Sequence, residues 1–188
     1  MSIRNKFMLE PARAVLLVID VQEKLCAAMD RDALRLLTKN AGILLESANE
    51  LSIPVLFTEQ YVKGLGPTLP ELRGRAPAVP CHEKLTFSCC GNDMFVRQLK
   101  DSGRTQVIVS GMEAHVCVLQ TALDGVASGR RIWVAADAVT SRRVANRETG
   151  LAQARQAGAM VSATESILFG LLGEAATDAF RAVAKLVK

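Results

Sequence analysis

Three side chains able to do chemistry each sit at the end of a short apolar or extended run. Asp20 ends Ala14-Val15-Leu16-Leu17-Val18-Ile19. Lys84 closes the short segment 81–84. Cys117 follows Gln106-Val107-Ile108-Val109-Ser110 by way of Gly111-Met112-Glu113-Ala114-His115-Val116. A thiol becomes a strong nucleophile once its proton leaves. The positive end of a helix, or an ammonium nearby, favours the thiolate. A carboxylate beside both can take the thiol proton and return it to a leaving group. Each residue also has a plain reading. An Asp after a strand often caps a turn, a Lys is usually a solvated charge, and a Cys is usually a small buried apolar residue. The shared position at strand ends gives the trio its weight.

The elements that would bring them together can be read from hydrophobic period. The 14–19 run is continuous and rich in β-branched residues, as in a strand covered on both faces. Residues 30–51 carry Leu34, Leu37, Ile43, Leu44, Ala48 and Leu51 at helical spacing. Ile53-Pro54-Val55-Leu56-Phe57 reads as a second buried strand with Pro at its start. Residues 61–80 hold repeated Gly and Pro and read as a long irregular loop. A short strand at 81–84 follows, then a helix over 92–101 and a strand over 106–110. A helix over 115–128 is closed by Gly129, and a strand runs over 131–136. A helix over 144–156 ends at Gly158, a last strand covers 159–161, and an amphipathic segment opens at Thr164. Strand and helix alternate, which predicts one α/β domain over residues 1–188, with a six-stranded parallel sheet and helices on both faces. Ligands of such sheets sit outside the carboxyl ends of the strands, where Asp20, Lys84 and Cys117 fall.

The 188 residues are 49% hydrophobic and 22% charged, with a net charge of +4. That composition excludes a disordered or collagen-like chain. The charge excess is small and scattered, and aromatics are only 4%, so nucleic-acid binding has little footing. Five cysteines are an odd number for a disulfide scaffold. Met1 to Phe7 contain no apolar leader core, and no apolar stretch is long enough to span a bilayer. The expectation is a reduced, cytoplasmic chain without membrane partners. Cys81, His82, Cys89 and Cys90 lack the C-x-x-C spacing of a zinc site, and no dinucleotide or P-loop glycine pattern occurs. Gln22, Tyr61 and Phe87 are candidate pocket walls. His115 is a candidate pocket residue or helix cap, and a rival mechanism makes His115 or His82 the base for Cys117.

Leu17-Val18-Ile19-Asp20-Val21-Gln22, Glu83-Lys84-Leu85-Thr86-Phe87-Ser88 and Gly111-Met112-Glu113-Ala114-His115-Val116-Cys117 resemble the three blocks of the isochorismatase-like cysteine hydrolases. Thr58 to Gly66, Val134 to Arg142 and the stretch from Arg155 to Ser166 are similar to the isochorismatase domain-containing subgroup, and the resemblance runs from about residue 12 to residue 187. It implies a Rossmann-like three-layer fold with strand order 3-2-1-4-5-6 and an Asp-Lys-Cys triad of Asp20, Lys84 and Cys117. It also implies a non-proline cis peptide at Met112–Glu113, with the backbone N–H groups of Glu113 and Cys117 as an oxyanion hole, and a homo-oligomer.

The departures from the family pattern narrow the activity. Nicotinamidases hold a metal with an Asp-x-His pattern and a further His, whereas this chain reads Thr58-Glu59-Gln60-Tyr61 there. Isochorismatases that cleave a vinyl ether lack a cysteine at the position of Cys117. Many relatives carry Thr where this chain has Ala114. The reading is a hydrolase without metal or cofactor, acting on a small molecule at an amide-type C–N bond through a thioester on Cys117. The alternative is a binding or scaffold protein that keeps the fold without turnover.

Overall fold

The structure is a computed structural model and describes residues 7–188. The reading of Met1 to Phe7 as lacking a leader core rests on residues of which 1–6 lie outside the described residues. Six parallel strands form one sheet: β1 (Ala14–Ile19), β2 (Val55–Gln60), β3 (Cys81–Lys84), β4 (Gln106–Met112), β5 (Arg131–Thr140) and β6 (Met160–Ser162). Their order across the sheet is β3-β2-β1-β4-β5-β6, as the resemblance implied. The order reverses direction beside β1, and sheets of this kind bind ligands at such a point, outside the carboxyl ends of the strands.

Strand β1 explains the two-sided architecture by itself. All six of its residues are buried. Side chains alternate across a strand, so Ala14, Leu16 and Val18 join one apolar cluster while Val15, Leu17 and Ile19 join the other. The first cluster lies under α2 (Arg31–Glu50), which follows α1 (Glu23–Ala27), and includes α2 residues Leu37, Leu44 and Leu45. The second lies under α5 (Asp93–Asp101), α6 (Leu119–Ala127) and α7 (Val144–Gln156), through Phe95, Leu99, Ala122 and Leu151. Helix starts follow capping chemistry: Asp30 accepts from the N–H groups of Asp32 and Ala33, and Asn92 accepts from that of Phe95.

Several boundaries differ from the sequence expectation. Strand β2 begins at Val55 and runs on through polar Thr58, Glu59 and Gln60, because those residues pair with β3 from Phe57↔Cys81 to Gln60↔Lys84. Strands β4 and β5 extend past their apolar runs to Met112 and Thr140, with an irregular register near Val109 and Gly111. The long loop contains two single-turn helices, α3 (Val62–Leu65) and α4 (Pro70–Arg73). The helix expected from His115 opens as a π-helical turn, Ala114–Val118, before α6. The tail forms two helices, α8 (Thr164–Leu172) and α9 (Asp178–Val183), and α1 had no periodic signal. Among the described residues, no helix is long and apolar enough to cross a membrane.

Gly111 keeps β4 tight against the end of β1. It pairs with Ile19, has φ +122°, and a Cβ placed on it would lie 2.0 Å from the Ile19 carbonyl oxygen. Neither the dihedral nor the space admits a side chain. Gly111→Ala is expected to lower stability by about 3 kcal/mol, from overpacking plus a left-handed alanine. A urea unfolding midpoint equal to the parent's would contradict this account of the strand contact.

Candidate active site

Asp20 is the residue immediately beyond β1. It is fully buried and its backbone lies in the left-handed region at φ 52°. Asp tolerates this region better than most residues, yet such positions cost free energy and concentrate at functional sites. The turn is pinned by two bonds: the Asp20 N–H donates to the Thr58 carbonyl at 3.1 Å, and the Gln22 N–H donates to the Asp20 carbonyl at 2.8 Å.

Lys84 arrives from β3, two strands away. Its Nζ donates to Asp20 Oδ2 at 2.6 Å, and neither side chain has any exposed surface. The remaining acceptors around Nζ are Gln60 Oε1 at 2.7 Å, the Phe87 carbonyl at 3.0 Å and the Thr86 carbonyl at 3.3 Å. An ammonium has three hydrogens, so these four acceptors occupy all of them. Lys84 therefore acts on its surroundings through charge rather than by donating to a further group. Gln60 is itself held, with its amide nitrogen on the Leu85 carbonyl at 2.8 Å.

Cys117 lies in the π-helical turn after β4, where Val116 and Val118 both donate to the Glu113 carbonyl. Such turns are rare and often sit at functional sites. The peptide bond between Met112 and Glu113 is cis. The Cys117 side chain lies close enough to Asp20 and Lys84 for the charges of both to act on it. The three residues singled out from the sequence therefore meet around one carboxylate.

The electrostatics differ from the sequence expectation in one respect. Cys117 is only 6% exposed, and burial pushes its thiol up to about 12. The Asp20 charge pushes the same way, and Lys84 opposes it without prevailing. The sulfur therefore rests as a thiol at neutral pH, not as the thiolate that the ammonium and the helix start had suggested. Burial also raises the Asp20 carboxyl above its ordinary value, against the lowering pull of Lys84, Thr58 and Cys117. Burial alone would lower Lys84, but the facing Asp20 carboxylate and, after it, Cys117 and Cys89 together outweigh it and the ammonium is held. A raised carboxylate next to an un-ionised thiol is a base beside a proton donor.

The other candidates fall in different places. Tyr61 and Phe87 are half exposed at 47% and 54%, on the segments that flank Lys84, with Leu85 between them at 75%. Gln22 is the third of the expected pocket walls. It is fully buried, its amide oxygen accepts from the Gln60 N–H at 2.7 Å, and its amide nitrogen donates to the Gln60 and Gly66 carbonyls. It clamps the 61–66 segment to the end of β2. His115 is held at both nitrogens. Asn146 Nδ2 donates to its Nε2 at 3.2 Å, so its Nδ1 carries the hydrogen and donates to Ser141 Oγ at 3.0 Å. That arrangement ties the π-helical turn to α7 and leaves His115 poorly placed as a base for Cys117. The Glu113 carboxylate accepts from the Arg142 Nε at 3.1 Å and from the Arg142 backbone N–H at 2.9 Å.

Thr58 and Gln60 had no site role in the sequence reading, where Cys89 stood as a weak zinc candidate and a thiol that could flank the site. Thr58 donates to Asp20 Oδ1 at 2.8 Å and lies 3.6 Å from Cys89 Sγ. Polar residues two apart at the end of an otherwise apolar strand were the available signal, since they share a face. All five cysteines are free thiols. Among the described residues, no group of three or more His, Cys, Asp or Glu side chains is arranged to hold a metal ion.

Residues 14–166 match the family model described as the isochorismatase domain. The isochorismatase domain-containing protein 2 of Bos taurus is 38% identical over 181 residues, covering 95% of this chain and 84% of that protein. Among solved structures, the MAR1 ribonuclease of Caenorhabditis elegans superposes with a TM-score of 0.89 at 36% identity, over 96% of this chain and 92% of that one. The ycaC gene product of Escherichia coli, an octameric hydrolase of unknown specificity, superposes with a TM-score of 0.88 at 25% identity, over 96% and 89%.

Removing one partner of the sealed ion pair should be costly. Lys84→Met strands a buried carboxylate and is expected to destabilise the fold by about 3–5 kcal/mol. Adding Asp20→Asn should recover much of that loss. Chemical denaturation of the parent, the two single variants and the double variant checks this, and additive losses would contradict a shared charge pair.

Proposed function

The chain belongs to the isochorismatase family, and from that membership we propose that it is a metal-independent cysteine hydrolase that cleaves an amide-type C–N bond of a small molecule. The carrying observation is the sealed Lys84–Asp20 pair at 2.6 Å, with the buried Cys117 thiol close enough for both charges to act on it. Cys117 Sγ attacks the substrate carbonyl carbon as its proton passes to Asp20. The carbonyl electron pair moves to oxygen, which the backbone N–H groups of Glu113 and Cys117 stabilise. The intermediate collapses, the C–N bond breaks, and Asp20 delivers the proton to the departing nitrogen. A thioester remains on Cys117. Water then adds to it, giving its proton to Asp20, and the acid product leaves as the thiol is restored. Lys84 keeps the carboxylate charged between these transfers. Tyr61 and Phe87 are the walls assigned to the substrate, with His115 holding the turn beneath it.

A scaffold without turnover is less consistent with this interior. A buried Asp–Lys pair carries a desolvation cost that apolar residues of the same size would not. Cleavage of RNA, the activity in the name of the nematode relative, would need phosphate contacts and stacking surfaces. A net charge of +4 and 4% aromatic residues supply little of either.

Hydrolysis of a panel of small amides, ureas and imides should depend on Cys117. Cys117→Ala and Asp20→Asn are each expected to lose at least about a hundredfold in rate. A thioester adduct of substrate-derived mass should appear on the Cys117 peptide. The rate should fall as pH drops through the Asp20 pKa, which burial places above 3.8, because protonated Asp20 cannot accept the thiol proton. Turnover that persists in Cys117→Ala would overturn the mechanism. RNA cleavage that Cys117→Ala abolishes, with no amide turnover, would favour the ribonuclease reading.

The Escherichia coli relative is octameric, and a homo-oligomer is the corresponding assembly proposed for this chain. Light scattering should give a mass that is a multiple of 20.2 kDa. A single species at the monomer mass would contradict it.

A further inference from the structure

Behind Asp20, on the side away from Lys84, lies a second polar chain that the proposed reaction does not use. Thr58 is fully buried near the end of β2, next to Ile19 in register. Its hydroxyl oxygen is 2.8 Å from Asp20 Oδ1 and 3.6 Å from Cys89 Sγ. An ionised carboxylate only accepts, so the Thr58 hydrogen goes to Asp20. The remaining contact then requires the Cys89 thiol to donate to the Thr58 oxygen. Cys89 can do so, because burial pushes its thiol up to about 12 and it keeps its hydrogen. Cys89 is in turn fixed from its backbone, whose N–H donates to Thr121 Oγ1 of α6 at 3.0 Å. Two donors in succession, Cys89 to Thr58 and Thr58 to Asp20, therefore point at the carboxylate, and Cys89 is anchored to α6 by its own backbone N–H.

We propose that Thr58 is a positioning residue for Asp20, holding Oδ1 through a hydroxyl whose orientation the Cys89 thiol locks. The inference rests on the reading of Asp20 as the base for Cys117. The carboxylate has one oxygen under Lys84 and the other under Thr58, so its plane cannot turn away from the sulfur. The hydrogen bond from Thr58 also stabilises the charged form of Asp20, so more of the protein carries a working base at mildly acidic pH. The ionisable groups facing Asp20 are Lys84 from β3, Cys117 from the π-helical turn and Cys89 from the 89–91 turn. Thr58 is the neutral member of the set, and its substitution alters no charge.

The test is the rate of Cys117 alkylation by iodoacetamide across pH, read on the Cys117 peptide by mass spectrometry. In the parent the rate should fall on the acid side as Asp20 takes up a proton. Thr58→Val should move that acid limb upward by about one pH unit and lower the plateau severalfold. Thr58→Ser, which restores the hydroxyl, should return both towards the parent. Thr58→Ala, which adds no bulk, serves in place of Thr58→Val if the latter does not fold. A limb unmoved in Thr58→Val or Thr58→Ala overturns the inference, as does an equal displacement in Thr58→Ser, which would mark a purely structural effect. Asp20→Asn separates the two levels. If it labels as the parent does, the base assignment itself fails. If it abolishes the acid limb while Thr58→Val leaves it unmoved, only the role of Thr58 fails.

Discussion

A carboxylate and an ammonium sealed together out of water constrain everything near them. Asp20 and Lys84 have no exposed side-chain surface and meet at 2.6 Å. Ions so placed persist only when each lone pair and hydrogen finds a partner. Gln60, the Thr86 and Phe87 carbonyls and Thr58 supply those partners. The ends of three strands and the segment after β3 are therefore held in one arrangement by the need to satisfy a single pair of charges.

The same burial decides the proton inventory. Near water, an ammonium beside a thiol would favour the thiolate. Inside, the cost of an extra negative charge is larger, and Asp20 already supplies the counter-charge for Lys84. The thiol accordingly stays protonated, pushed up to about 12. In the proposed mechanism Lys84 keeps Asp20 ionised and that carboxylate takes the Cys117 proton, so activation of the sulfur would depend on transfer at the moment of attack.

The supporting contacts share a feature: most bind a side chain to the backbone of a distant segment. Gln22 bonds the carbonyls of Gln60 and Gly66, Gln60 bonds that of Leu85, and His115 bridges Ser141 and Asn146. The segments after β1, β2 and β3 are in this way joined to one another, and the segment after β4 is joined to that after β5. Loops tied at several points lose little further freedom when a ligand arrives, which favours pre-organised binding.

Much of the frame was legible along the chain. The apolar run of β1, the capped helix over 31–50 and the alternation of strand and helix follow from local period and capping, because burial on both faces of a sheet demands them. Asp20, Lys84 and Cys117 were legible as residues at strand ends. Their meeting was not, because Lys84 is 64 residues from Asp20 and only the order β3-β2-β1-β4 carries one to the other. The same holds for Thr58, which reaches Asp20 through the β1–β2 register, for Gln60, which reaches Lys84 through the β2–β3 register, and for Gln22, whose bonds to Gln60 and Gly66 join segments distant along the chain. Residue type and period act locally, so the chain by itself determines the elements and the reactive groups. Partners, burial and protonation arise from contacts between distant segments, so the tertiary structure alone decides which group holds the proton and which merely holds the loop.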